Sequence, residues 1–297
     1  MIVDTQPGQS LIHDLILLEK RVPSKKLMKP RNVTHASVET LHSNYKYAMV
    51  SQCNKDAIIT GNCICSKTFL YDSIIEASKE ELVVVIGVDP AIKTIIVSYR
   101  ATKTIKNWIA NFDYTQVKYP DAEGNVLVHR GFYKATVATQ DKSEKAVLAL
   151  IQNPEYKGYK LQITGLSLGA ALSTLSSVRW NKFLQENKLN NSMEVFSYAS
   201  PRVGNEEFAQ LVANGNYPVT RYSNLNDVVV HLPPRSFNYV HVAAEIYERR
   251  VSFGKTEFVN CDQSYDEDAT CGLSQTGLLS FARHVFVFNK LIKLPYC

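Results

Sequence analysis

The run Gly165–Gly169 (GLSLG) constrains the fold more than any other stretch of the chain. It is preceded by the short β-prone segment Leu161–Thr164 (LQIT) and followed by Ala170–Asn187, which reads as a helix opening on two alanines. A serine on a sharp strand-to-helix turn sits in a strained backbone conformation, and side chains two residues before and after it would collide. Glycine at 165 and 169 removes both collisions, and Ala170 and Ala171 let the helix approach the strand. The first turn of that helix then points unpaired N–H groups to where negative charge would build up during attack by Ser167.

The surrounding pattern agrees with such a turn. Glu81–Val88 (ELVVVIGV) and Thr94–Tyr99 (TIIVSY) are β-branched runs parted by Asp89 and Pro90, hence adjacent strands joined by a turn. His35–Val50 and Ala135–Ile151 have helical spacing, and Glu194–Ala199 and Val219–Ser223 read as further strands. Strands alternating with helices predict an α/β fold with a central, mostly parallel sheet and helices on both faces. A chain of 297 residues with 45% hydrophobic content can bury one core of that kind. Residues 1–34 are charged and proline-dotted, and read as an N-terminal extension or propeptide remnant ahead of a domain over 35–297; Lys20 and Arg21 form a possible dibasic processing site.

The net charge of +5 is modest, and the one basic cluster, Lys25, Lys26, Lys29 and Arg31, falls in the extension, so no nucleic-acid partner is expected. No apolar stretch reaches the roughly 18 residues of a membrane span, and Leu11–Leu18 is broken by His13 and Asp14 and does not read as a signal peptide. The six cysteines are Cys53, Cys63, Cys65, Cys261, Cys271 and Cys297. Cys-x-Cys is not a usual zinc knuckle and no histidine lies close in sequence to either cluster, which favours disulfides and a secreted protein over zinc or free thiols. The sequons at Asn32 and Asn190 are compatible with secretion and glycosylation.

A nucleophilic serine needs a base, and the base an orienting carboxylate, in the chain order serine, acid, histidine. Asp227 follows the strand at 219–223 and would lie at a strand end beside the serine. His231, four residues on and followed by Leu232, Pro233 and Pro234, is too close and too constrained to reach back. His241 and His284 both satisfy the order, and the residues alone leave the two open.

Six blocks in order carry a resemblance to a known family: Tyr99–Ala110 (YRATKTIKNWIA), Val128–Phe132 (VHRGF), Gly165–Gly169, Ser200–Asn205 (SPRVGN), Asp227–Pro234 (DVVVHLPP) and His284–Phe288 (HVFVF). From about His35 to Cys297 the chain resembles the class 3 fungal lipases of the Rhizomucor and Rhizopus type. The resemblance implies an α/β-hydrolase-type fold with a helical lid. It implies a secreted triacylglycerol lipase acting on lipid esters at an oil–water interface, with no cofactor and no metal, and a monomer is expected. It selects Ser167 as nucleophile, Asp227 as acid and His284 as base, and gives the oxyanion hole to Thr102 and the N–H of Leu168. Lys103–Tyr114 matches the lid, with Ile105, Trp108, Ile109 and Phe112 apolar and Asn111 beside the oxyanion residue. It further implies the disulfides Cys53–Cys297 and Cys261–Cys271, with Cys63–Cys65 as a third pair. Three residues depart from the family: Leu166 stands where histidine is usual, Ala101 replaces a glycine, and Asn111 an aspartate. A feruloyl esterase or other carbohydrate-ester hydrolase of this architecture is the alternative, to which the apolar lid segment is less suited. A catalytically inactive lipase-like binding protein would need a broken triad or oxyanion hole, and neither is seen in the sequence.

Overall fold

The computed structural model describes residues 36–63, 68–77, 82–100, 113–120, 122–242, 244–252, 254–262, 267–274, 279–288 and 290–291. Residues 1–34, Asn32, Cys65, Ala101, Thr102, Ile105, Trp108, Ile109, Asn111, Phe112 and Cys297 lie outside them. In chain order the elements are α1 (Val38–Val50), α2 (Lys55–Ile59), β1 (Leu70–Ala77), β2 (Leu82–Asp89), β3 (Thr94–Tyr99), β4 (Gln116–Lys118), β5 (Leu127–His129), α3 (Arg130–Gln152), β6 (Lys160–Leu166), α4 (Leu168–Glu186), β7 (Met193–Tyr198), α5 (Glu206–Ala213), β8 (Val219–Asn224), β9 (Glu245–Ser252), β10 (Lys255–Asn260), α6 (Phe281–His284), β11 (Phe286–Val287) and β12 (Lys290–Leu291).

Eight strands form one sheet in the order β1-β2-β3-β6-β7-β8-β9-β10. The ladders β3–β6, β6–β7, β7–β8 and β8–β9 are parallel, and the three nearer the edges are antiparallel. β2 and β3 are buried along their whole length, as the β-branched runs require of strands covered on both faces. Successive side chains of each strand enter different layers. Leu161, Ile163 and Val195 pack with Phe132 of α3, Leu172 and Trp180 of α4 and Phe208 of α5. Leu166, Phe196 and Tyr198 pack on the other face against Leu41 and Met49 of α1. The sequence motifs therefore mark the ends of central strands, with the functional turn at the carboxyl end of β6.

Caps set several helix boundaries. Ser37 caps α1 by accepting from the Thr40 N–H. His129 caps α3, its Nδ1 accepting from the N–H groups of Gly131 (3.0 Å) and Phe132 (3.2 Å), which starts the helix five residues before the periodicity alone suggested.

The disulfide expectation for Cys53 and Cys63 is corrected. Cys53 is bonded to Cys63, not to Cys297, and Cys63 is therefore not bonded to Cys65. Helix α2 folds the chain back between the two cysteines, bringing their Cα atoms to 6.1 Å, within disulfide reach. Cys261 and Cys271 form a second bridge. With a sequence separation of 10 between the paired cysteines, the Cys53–Cys63 loop gives at most about 3 kcal/mol by chain entropy. Cys63→Ser should accordingly lower the Tm of the oxidised protein by several degrees. Non-reducing peptide mapping should yield a 53–63 pair, and recovery of a 53–297 peptide would overturn the assignment.

Candidate active site

Ser167 is the residue between β6 and α4, with φ 56° and ψ −122°, a conformation L residues rarely adopt. A Cβ on Gly165 would lie 2.3 Å from the Gly169 carbonyl, and one on Gly169 would lie 2.1 Å from the Tyr99 carbonyl oxygen. Both glycines are thus demanded by backbone approach, the first within the turn and the second between α4 and β3. The Ser167 N–H donates to the Tyr198 carbonyl of the neighbouring strand at 2.9 Å, which anchors the turn in the sheet.

Three side chains from distant parts of the chain meet here. The Ser167 hydroxyl lies 2.8 Å from His284 Nε2, and His284 Nδ1 lies 2.8 Å from Asp227 Oδ2. All three are at most 1% exposed. Since the Asp227 carboxylate can only accept, Nδ1 carries the ring proton, and in the neutral imidazole Nε2 is left to accept from the serine hydroxyl. Asp227 Oδ1 also accepts from the Val229 N–H at 2.9 Å, which fixes the carboxylate plane. Leu168 is the first residue of α4, so its N–H belongs to the first-turn donors that no carbonyl of the helix accepts. Leu166 points the other way, buried among Leu41, Met49, Tyr198, Tyr222 and Val230, an environment that suits an apolar side chain.

The other histidines are placed elsewhere. His241 is buried with its Nε2 2.7 Å from the Val230 carbonyl, as a donor, and its backbone N–H bound to Glu267. His231 is buried, and both of its ring nitrogens lack a hydrogen-bond partner among the described residues. Burial pushes the pKa of His129 down to about 4 and that of His231 to about 3, and pushes that of His241 well below the usual value. An unfolded chain binds these protons first, near pH 6.5. Stability should therefore be intact above that pH and fall by about 1.4 kcal/mol per unit per histidine as pH drops from about 6.5 towards 4. Thermal melts between pH 7 and pH 4.5 check this, and a His129→Asn variant with an unchanged slope would refute the share given to His129.

Glu245, Cys261 and Cys271 also lie together, but the disulfide occupies both sulfurs, so the group offers no thiolate to a metal. Two residues that sequence reading passed over bear on the site. Arg202 lies inside the block at 200–205 and Asn224 one residue beyond the strand read at 219–223, and no spacing rule assigns either a part.

Residues 96–237 match the model of the class 3 lipase family. Over 198 residues the chain is 32% identical to a lipase of Rhizomucor miehei, covering 66% of this chain and 52% of that protein. Over 212 residues it is 31% identical to a secreted mono- and diacylglycerol lipase A of Penicillium cyclopium, covering 68% of this chain and 65% of the relative. The match thus spans about half of the first curated relative and just under two thirds of the second. A solved structure, described as a triacylglycerol lipase whose catalytic centre is a serine protease triad, superposes with a TM-score of 0.74 at 25% identity, covering 86% of this chain and 96% of that one. Taken with the α/β-hydrolase-type sheet and the serine turn, these matches place the chain in the class 3 lipase family.

Proposed function

We propose that this protein is a secreted serine ester hydrolase, a triacylglycerol lipase that works through an acyl-enzyme. The observation that carries the reading is the continuous relay Ser167–His284–Asp227, with both links at 2.8 Å. In this reading Ser167 attacks the ester carbonyl while His284 Nε2 takes its proton, and Asp227 orients the ring and offsets the imidazolium charge. His284 then protonates the leaving alcohol, and the reverse proton traffic lets water hydrolyse the acyl group. The Leu168 N–H and Thr102 are the donors assigned to the developing oxyanion, with Lys103–Tyr114 as lid. Its residues Ile105, Trp108, Ile109 and Phe112 would meet lipid, and Asn111 would support Thr102. No cofactor enters this chemistry.

Secretion is supported by the relative named as a secreted lipase and by the two disulfides, which fit an oxidising compartment. Among the described residues no helix is long and apolar enough to cross a membrane. The domain reading, with 1–34 an extension and a monomeric catalytic unit from 35 onward, belongs to the same proposal.

The test is labelling by a fluorophosphonate, followed by rates on p-nitrophenyl esters of increasing chain length, with methyl ferulate alongside. Labelling of Ser167 and faster turnover of emulsified long-chain esters are expected. A preference for methyl ferulate would replace the lipase by a carbohydrate-ester hydrolase. Absence of labelling would leave a lipase-like binding protein.

A further inference from the structure

Strand β8 bears on both partners of Ser167, though its side chains take no part in the relay. It ends at Asn224, three residues before Asp227, and Asn224 is only 2% exposed. Its side-chain Nδ2 donates to the carbonyl of Arg283 at 3.1 Å and to the carbonyl of Phe286. Those two residues bracket His284. Both partners are carbonyls, so the amide can only be oriented with its NH₂ towards them. Asn224 Oδ1 faces no donor among the described residues, so the bonds to these carbonyls are the ones the side chain is buried to make. The backbone carbonyl of the same residue accepts from the Asp227 N–H at 3.1 Å.

The neighbouring side chain on that face of β8 has a parallel task. Tyr222, two residues earlier, accepts the Phe288 N–H on its hydroxyl at 2.9 Å. On the other side of His284, the Ser280 N–H donates to the Asn226 carbonyl at 2.8 Å and residues 227 and 280 form a parallel bridge. In the last turn of the four-residue helix α6 the Arg283 carbonyl also takes the Val285 N–H. Asn224 gives it a second donor from a different element.

We infer that Asn224 is a positioning residue of the site: its side chain ties the histidine segment, and its backbone carbonyl the aspartate turn, to the end of β8. This rests on the assignment of His284 and Asp227 as base and acid. A few tenths of an ångström at Nε2 matter because proton transfer requires hydrogen-bond contact with Ser167. Removing the amide takes its bonds away from both carbonyls and loosens the turn that carries the ring.

The experiment compares Asn224→Ala and the similarly sized Asn224→Leu with the parent, using p-nitrophenyl butyrate and fluorophosphonate labelling. Rates are counted per folded molecule from near-UV circular dichroism. Both variants should lose about 10- to 100-fold in kcat, with KM within about threefold, because geometry at the reacting atoms changes while the acyl site does not. The downfield proton resonance of the His284–Asp227 hydrogen bond should broaden or vanish in both. If the alanine variant does not fold, the leucine variant decides. A kcat per folded molecule within threefold of the parent, or an unchanged downfield resonance, overturns the inference. A parent that itself resists the fluorophosphonate would instead overturn the underlying assignment of the triad.

Discussion

Replacing Ser167 with alanine should abolish ester turnover, with a loss of about 10⁴- to 10⁶-fold in kcat. In the proposed reaction this hydroxyl forms the acyl-enzyme, and among the described residues no other nucleophile is in hydrogen-bond contact with His284 Nε2. His284→Ala should cost about as much, because a serine without its base is a weak nucleophile and the pair act as a unit. Asp227→Asn should be somewhat less damaging. The ring remains, but an asparagine amide can turn its NH₂ towards Nδ1 and favour the wrong tautomer, which places the proton on Nε2. The contrasting substitution is His241→Asn. That side chain is tied to the Val230 carbonyl and does not face Ser167, so activity per folded molecule should stay within a few-fold of the parent. Stopped assays with active-site titration settle the comparison. An active His284→Ala together with a dead His241→Asn would show that the base has been wrongly identified.

The serine turn was readable because its glycines answer to hard sterics. Backbone atoms stand 2.1–2.3 Å from where their Cβ atoms would be, and few other sequences satisfy that geometry. The buried strands β2 and β3 were readable for a related reason, since burial on both faces favours a nearly continuous apolar run. β6, β7 and β8 instead set buried polar residues such as Gln162, Ser197 and Arg221 among their β-prone ones. β1, β9 and β10 escaped notice because they lie near or at the sheet edges. Leu70–Ala77 (LYDSIIEA) and Glu245–Ser252 (EIYERRVS) mix charge with apolar residues, as half-solvated strands do. The choice between His241 and His284 could not be made from residue order, because both lie downstream of Asp227; only the tertiary path brings His284 back over the carboxyl ends of β6 and β8. The Cys53 pairing was misjudged for the opposite reason. A likeness over the whole chain was given more weight than a local fact, the short helix that folds Cys63 back onto Cys53. Asn224 and Glu267 carry no sequence signal at all, since their partners are mostly backbone carbonyls or arginines remote in the chain.

Glu267 leads to the largest stability change expected outside the triad. Its carboxylate grips Arg202 with both oxygens, Nε to Oε1 at 2.7 Å and the terminal nitrogen to Oε2 at 2.8 Å, and Oε1 also takes Arg235 at 3.2 Å. The three side chains are at most 4% exposed. Arg202 in turn donates to the carbonyls of His231 (2.7 Å) and Pro233 (2.9 Å), so the cluster ties down the loop that follows Asp227. Glu267→Gln keeps the shape but removes the carboxylate charge that both buried guanidinium groups contact. Breaking one side of such a buried pair costs about 3–5 kcal/mol, or a fall in Tm on the order of 10 °C for a chain of this size. The exposed pair Arg249–Glu257 supplies the contrast: both partners are over 40% exposed, and Glu257→Gln should cost less than about 1 kcal/mol. Acidity gives a second readout. Burial would raise the Glu267 pKa, but the charge and hydrogen bonds of Arg202, with His241 and Arg235, outweigh it and hold the carboxyl well below the usual range. Its contribution is therefore present above the unfolded pKa, about 4.3, and is lost as pH falls through the folded value. The gap between parent and Glu267→Gln should be widest near pH 7 and should narrow below about pH 4. Denaturant melts at pH 7 and pH 3.5 measure both, and a gap under 1 kcal/mol at pH 7, or one equally wide at both pH values, would show that the carboxylate does not hold the two arginines in place.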